Sequence, residues 1–327
     1  MPNTVPEVTG DGIAVAAAVI YGADGRILIS RRPSHLHQGG LWEFPGGKLE
    51  AGESGRQALQ RELAEELGIR VVSAEPLIRI PWAYPDKRVV LEVWSVSDFH
   101  GEPRACEGQA LRWVAPAALN DLSFPAANAP IVTAVQLPDR YLITPEPGSD
   151  PAPFLTTLER AVASGGIRLL QLRAHSLGSM AYAELAIRVS ELLHGSGVEI
   201  LLNAPPALAA ELGLGVHLTA ARLRALTRRP LLPAGCRVAA SCHDAAELQQ
   251  AAALGLDFAV LGPVLATGTH PGASVLGFDR FSQLTRDAPL PVFALGGLSP
   301  AQMVPARQHG AQGVAAIRGL WPAALKA

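Results

Sequence analysis

Cysteine is scarce in this chain: Cys106, Cys236 and Cys242 are the three among 327 residues. They form no Cys-x-x-Cys pair and no zinc spacing, which excludes a thiol-bound structural zinc and a disulfide framework. Free thiols suit a reducing compartment, so a cytoplasmic protein is expected. A dominant charge is missing as well. The formal net charge of −2 gives no basic footprint for a phosphate backbone, which argues against long-lived nucleic-acid binding but leaves single nucleotides open. No run of about 20 uncharged apolar residues occurs, and the opening MPNTVPEVTGDG is polar with no apolar signal region, so neither membrane insertion nor secretion is expected. Short-period repeats and low-complexity tracts are also lacking. What remains is an ordinary globular composition, 49% hydrophobic and 17% charged. One core rarely grows past ~250–300 residues, so two domains are the default.

The two halves have different rhythms, and the seam falls near TAVQLPDR, giving domains of 1–136 and 137–327. In the first half IAVAAAVIY and RILISRR read as strands around the turn GADG, with RVVLEVWSV and ALRWV as further strands. Residues 54–67 carry Ala58, Leu59, Leu63 and Leu67 at helical spacing and stop at Gly68. This is an α+β arrangement. From DRYLITPEP onward, short apolar strands alternate with alanine-rich amphipathic segments: YLIT, IRLLQLR, VEILLN, GVHLT, CRVAAS, DFAVLG, PVFALGG and GVAAIRG. Such units, with strands apolar throughout, predict a compact (β/α)8 barrel.

One helix concentrates acid. Glu62 and Glu66 are four apart and Glu65 is three from Glu62, so the spacing places all three toward one side. Clustered carboxylates need a compensating hard cation, and oxygen ligands suit Mg²⁺ or Mn²⁺. Glu53 lies in the preceding loop, where Gly46, Gly47 and Gly52 allow tight turns. A solvated acidic face is the plain alternative for a generic charge run. The spacing overrides it: Gly47, Glu53, Arg61-Glu62-Leu63, Glu65-Glu66, Gly68 and Ile69 resemble a complete Nudix box. That set arises by chance on the order of once in a hundred million windows.

The resemblance continues through ISRRP, LWEFPGGKLE, YPDKRVVLEVW, CEGQALRWV and FPAANAPIV, in the order of MutT-type Nudix hydrolases, over roughly residues 12–135. It implies a Nudix fold and a Mg²⁺-dependent hydrolase that cuts 8-oxo-dGTP to the monophosphate and diphosphate, cleaning the nucleotide pool and avoiding mutation. Carried over by position, Glu62, Glu65, Glu66 and Glu107 are metal ligands, with the Gly46 carbonyl. Either Glu62 or Glu107 is the general base. Arg61 orients Glu53 or another box carboxylate. Arg32 and Phe44 match positions lining the nucleotide pocket. Asn128 matches the asparagine that reads 8-oxoguanine; its carboxamide accepts from N7–H and donates to O6 together, a pairing that guanine does not allow. A helix N-cap before APIV is the alternative for Asn128.

In the second half YLITP, LLQLRAH, LLLNAP, GVHLTA, SCH, LGPVLATGTH, ALGGLS and GVAAIRG resemble thiamine-phosphate synthases in order, over about residues 140–320. The resemblance implies a TIM barrel with Gln171, Arg173, Asn203, Ser241 and Thr269 as substrate contacts. Gly296 and Gly297 correspond to a phosphate cradle, or else merely close a tight turn. His243 matches a position suited to acid–base work, as in thiazole-tautomerase relatives, or is structural. The departures bear on metal. Where the family carries two metal-binding aspartates this chain has Ala204 and Arg222; Pro205 replaces an arginine, and His175 and His270 stand at two lysine positions. The barrel is therefore expected to bind a phosphorylated thiamine intermediate or a similar anion without synthase turnover. Hydrolysis of thiamine-related diphosphates, residual synthase or tautomerase activity, a non-catalytic recognition module and a pure scaffold are the competing readings. The oligomeric state is left open.

Overall fold

The computed structural model describes residues 12–34, 38–267 and 274–322. It divides into two compact units, Met1–Gln136 with Arg286–Pro291, and Leu137–Thr285 with Val292–Ala327.

The first unit contains β1 (Ile13–Tyr21), β2 (Ile27–Arg31), β3 (Trp42–Glu43), β4 (Gly46–Lys48), α1 (Gly55–Leu67), β5 (Arg70–Ala83), β6 (Arg88–His100), β7 (Leu111–Val114) and α2 (Ala129–Gln136). The sheet order is β3-β2-β1-β6-β5, with β4 also paired to β1 and β7 to β2. The apolar run of β1 is explained by burial on both faces. Ala16, Ala18 and Ile20 pack toward Ala58, Leu59, Leu63 and Leu67 of α1. Ala17 and Val19 pack in the opposite layer, with Phe44, Leu91, Ile131 and Val132. The strand's period of two thus splits one run between two cores.

Helix α1 begins where its capping chemistry predicts. Ser54 and Gln57 form a reciprocal capping box, and Gly68 closes the helix at φ 67° in the left-handed region. β5 has no clear signature in the sequence. It carries Pro76 and Pro81 and slips register against β6 between Val71 and Ser73, Ser73 and Ala74, and Pro76 and Ile78. An edge strand tolerates both faults, since its outer N–H groups need no ladder partner.

In the second unit β8 (Arg140–Ile143), β9 (Leu169–Leu172), β10 (Glu199–Leu202), β11 (Gly215–Leu218), β12 (Val238–Cys242), β13 (Phe258–Leu261), β14 (Val292–Leu295) and β15 (Gly313–Ala316) close into a parallel barrel. Each of the eight strands coincides with one of the apolar segments read above. Helices α3 (Ala152–Gly165), α4 (Ser179–Leu192), α5 (Pro206–Leu212), α6 (Ala220–Ala225), α7 (Ala245–Ala253), α8 (Gly277–Thr285) and α9 (Met303–Gln308) follow in alternation. Tyr141, Leu169, Leu201, Phe258, Val260 and Phe293 belong to a buried cluster of the barrel. The fold is the expected pair, a Nudix-type α+β unit followed by a (β/α)8 barrel.

Candidate active sites

The Nudix-box side chains divide between two surroundings. Arg61 organises the first. Its Nε and Nη2 donate to Glu53 over 3.1 and 2.9 Å, Nη1 donates to Glu62 over 2.8 Å and to Glu65 over 3.2 Å, and Nη2 also donates to the Lys48 carbonyl over 3.0 Å. The Arg61 bonds, with a further bond from the Glu50 N–H, hold Glu53 below the usual carboxylate range. In turn Glu53, followed by Glu62, holds the guanidinium protonated. The glycines serve close approach: any side chain at Gly47 would collide with the Glu62 carboxylate, and one at Gly46 with the Ala16 carbonyl.

Glu66 belongs to the second environment. It lines a cavity of about 340 Å³ together with Gly46, Glu107, Arg32, Phe44 and Asn128. The Gly46 N–H donates to its Oε2 over 3.1 Å, and Gln109 holds its backbone carbonyl over 2.9 Å. Burial is the main reason its carboxyl is pushed up to about 8. The Gly46 bond opposes this, while the charges of Glu43, Glu62 and Glu107 add to it. Glu65, by contrast, is half exposed beside Arg61. Glu62, Glu65 and Glu66 occupy an arc of about 100° on α1, within which Arg61 bonds Glu62 and Glu65 and the Glu62 charge reaches Glu66. Consecutive helical residues diverge by about 100°, which sends Glu65 and Glu66 to different neighbours.

Among the described residues no three His, Cys, Asp or Glu side chains converge as a ready-made metal shell. Arg61 draws Glu62 and Glu65 toward itself. The donor chemistry nevertheless fits a hard divalent cation: the set is all oxygen, and Glu66 is a partly buried carboxyl that feels the charge of three other carboxylates.

Asn128 ends the 3-10 turn Ala126–Asn128 and runs directly into α2. Its carboxamide makes no hydrogen bond among the described residues, so it does not act as a side-chain cap. Phe44 stacks on Phe124 with ring centroids 5.5 Å apart. Glu43, paired with Arg32, also lines the cavity, and burial raises its carboxyl despite that partner. Glu43 was not singled out in the sequence; its place one residue before Phe44 was the available signal.

In the barrel, Gln171, Arg173, Asn203, Ser241, His243, Gly296 and Gly297 line one cavity of about 820 Å³ at the C-terminal ends of the strands. His175 and Arg318 join them, and no Asp or Glu is among the described lining residues. Glu146 lies nearby but is occupied. It accepts from Arg173 over 2.9 Å, from the His175 and Ser176 N–H groups over 3.2 and 3.0 Å, and from the Ser176 hydroxyl over 2.8 Å. His243 Nδ1 lies 3.0 Å from the Gly262 carbonyl, so Nδ1 carries a proton and donates it there. Gly296 and Gly297 have φ of 103° and 65°. Side chains there would strike the Pro263–Ala266 segment, so the turn requires glycine on its own account. Thr269 and His270 lie outside the described residues.

A Nudix domain matches residues 16–134 and a thiamine monophosphate synthase domain matches residues 140–320. The chain belongs to both families. A CTP pyrophosphohydrolase of Escherichia coli is 46% identical over 119 residues, 36% of this chain and 86% of that protein. An 8-oxo-dGTP diphosphatase of the same organism is 36% identical over 124 residues, 38% of this chain and 96% of that protein. A thiamine-phosphate synthase of Nostoc is 32% identical over 184 residues, 56% of this chain and 51% of that protein.

Within the synthase domain, Ala204 and Arg222, which the resemblance sets against two metal-binding aspartates, do not fit a metal. Ala204 is buried and offers no donor. Arg222 carries positive charge that is felt by His175, whose pKa falls through burial, Arg173 and Arg222. A cavity whose described lining carries no carboxylate, and whose neighbour Glu146 is taken up by Arg173, does not suit Mg²⁺.

Proposed function

We propose that the chain is a two-domain enzyme, with domains 1–136 and 137–327, whose Nudix domain hydrolyses 8-oxo-dGTP to 8-oxo-dGMP and diphosphate. The observation that carries this reading is the shared cavity. Asn128 and the aromatic Phe44 line the same space as Glu66, Glu107 and Gly46. A purine that reaches Asn128 thus has its phosphates toward the carboxylates. Asn128 accepts from N7–H of the oxidised base and donates to O6, whereas guanine offers two acceptors and leaves one pairing unmade, at a cost of ~1–3 kcal/mol.

Glu62, Glu65, Glu66, Glu107 and the Gly46 carbonyl would hold the divalent cation, Mg²⁺ or Mn²⁺. When bound, that cation neutralises phosphoryl oxygens and activates water. Arg61, with Glu53 as its anchor, orients Glu62. Glu62 or Glu107 takes the proton of the attacking water. A second reading, a pyrimidine triphosphate as substrate, is favoured by the 46% identity to the CTP pyrophosphohydrolase.

For the barrel, the absence of acid from the described lining, which includes Arg173, His175, His243 and Arg318, supports a phosphorylated small molecule bound without metal. The test for the Nudix half is a substrate panel of 8-oxo-dGTP, dGTP, CTP and thiamine diphosphate with Mg²⁺. The account expects 8-oxo-dGTP to have the highest kcat/KM, with diphosphate released. Highest turnover of CTP would favour the second reading.

A further inference from the structure

Helix α1 ends with carbonyls that its own ladder cannot satisfy. Gly68 stops the helix in the left-handed region, and no further helical N–H follows to meet the carbonyls of Glu66 and Leu67. A distant segment takes them. The Arg104 N–H donates to the Leu67 carbonyl over 3.0 Å, and the Cys106 N–H donates to the Glu66 carbonyl over 3.1 Å. Residues 101–110 form no helix or strand, so these bonds rather than a ladder hold the segment to α1.

Gln109 completes the attachment with its side chain. Its Nε2 donates to the same Glu66 carbonyl over 2.9 Å, and its Oε1 accepts from the Glu107 N–H over 3.0 Å. A backbone N–H only donates and a backbone carbonyl only accepts, so the two partners dictate which end of the carboxamide faces which. Gly108 sits between them at φ 75°, and its N–H donates to the Ala105 carbonyl over 3.1 Å. That left-handed turn folds the chain back and brings the Gln109 side chain to the N–H two residues before it.

Glu107 is exposed and belongs to no regular element. It nevertheless lines the same cavity as Glu66, and its charge reaches that carboxyl. Two carboxylates from different elements share a cation only if something fixes their spacing. Here the link is short and polar: the Glu66 carbonyl, the Gln109 carboxamide and the Glu107 N–H.

We propose that Gln109 is a positioning residue that fixes Glu107 against Glu66 and so completes the oxygen set for the divalent cation. This rests on the reading of Glu66 and Glu107 as metal ligands. Both ends of the carboxamide are engaged within the protein, so Gln109 acts through Glu107 and not by touching the nucleotide.

A double-mutant cycle on the full chain tests this. Mn²⁺ binding to the nucleotide-free chain, read by electron paramagnetic resonance, and steady-state hydrolysis of 8-oxo-dGTP with Mg²⁺ are compared for the unmodified chain, Gln109→Met, Glu107→Gln and the pair together. Methionine keeps the length and loses both polar ends. Gln109→Met should weaken Mn²⁺ binding and lower kcat by about 10-fold each, with KM changed by less than about 3-fold. In the Glu107→Gln chain the same substitution should cost less than about 3-fold, because the residue it acts through is gone. Equal costs in both backgrounds overturn the proposal, since Gln109 would then serve the fold or Glu66 alone. A raised KM with unchanged kcat also overturns it and places Gln109 on the nucleotide. Should Glu107→Gln alone leave Mn²⁺ binding and kcat unchanged, the metal-ligand reading of Glu107 fails and the proposal falls with it.

Hydrogen exchange gives a readout free of metal and substrate. The Glu107 amide should exchange about 3- to 10-fold faster in Gln109→Met than in the unmodified chain, the cost of one hydrogen bond. An equal rate would mean that Gln109 does not hold Glu107, and would overturn the proposal. Gln109→Asn, one methylene too short to span both partners, enters the same cycle as a milder variant and should act in the same direction.

Discussion

Arg61 and Glu53 form a bidentate pair, with Nε and Nη2 of the arginine 3.1 and 2.9 Å from the two carboxylate oxygens. The planar fork leaves Nη1 aimed at Glu62 over 2.8 Å. A lysine has the charge but not the fork. Arg61→Lys is therefore expected to lower kcat for nucleotide hydrolysis by roughly 10- to 100-fold, the usual cost of losing a partner that orients a ligand side chain. Steady-state kinetics should show KM nearly unchanged, because Arg61 does not line the cavity. A rise in KM with normal kcat would mean that Arg61 binds substrate instead.

Glu62→Gln keeps the size of the side chain and removes its charge. Hydrolysis should fall by at least ~10²-fold, while thermal unfolding stays close to that of the unmodified chain because Glu62 belongs to the polar face of α1. Near-normal turnover would remove Glu62 from the reaction.

His217 links barrel stability to pH. Its pKa is about 3 in the folded chain against an ordinary 6.5. Below pH 6.5 the unfolded chain therefore binds a proton that the folded chain refuses, and stability falls with pH from 6.5 toward 3, by up to about 1.4 kcal/mol per unit. Above 6.5 the effect is absent. Denaturant titrations between pH 7.5 and 4.5 should show a steeper loss for the unmodified chain than for His217→Gln. Equal slopes would contradict the buried neutral ring.

The barrel should make no thiamine phosphate. Ala204 and Arg222 offer no carboxylate to hold a metal beside a diphosphate leaving group. The assay is best run on the Glu62→Gln chain, in which consumption of the diphosphate substrate by the Nudix half should be slowed. Product at the rate of an ordinary synthase would refute the assignment. Binding of benzyl phosphate should be unaffected by EDTA; its loss would point to a metal in the cavity.

Much of the fold was legible because it depends on local chemistry. Ser54, Gln57 and Gly68 mark both ends of α1, and the barrel strands read as apolar runs because both of their faces are covered. β5 was not legible, since Pro76, Pro81 and three register slips erase its alternation, and only its place at a sheet edge makes it tolerable. The site shows the same division. Helical spacing brought out Glu62, Glu65 and Glu66 but not their partners, Arg61 for the first two and the Gly46 N–H for the third. Glu43 and Glu146 act through partners distant in sequence, Arg32 and Arg173–Ser176, and no local pattern marks them. His217 looks like one more member of the run GVHL until barrel closure sets it between Tyr141 and Ser241.

The account's central claim, that Asn128 reads an oxidised guanine in the cavity of the catalytic carboxylates, is tested most directly by one ratio. This is kcat/KM for 8-oxo-dGTP over dGTP, measured with Mg²⁺ for the unmodified chain and for Asn128→Ala. The account predicts a strong preference for the oxidised nucleotide. The substitution should lower that preference by about 10-fold or more, as the loss of a ~1–3 kcal/mol discrimination requires, with a smaller effect on kcat. An unchanged ratio would contradict it and return Asn128 to a structural role at the start of α2.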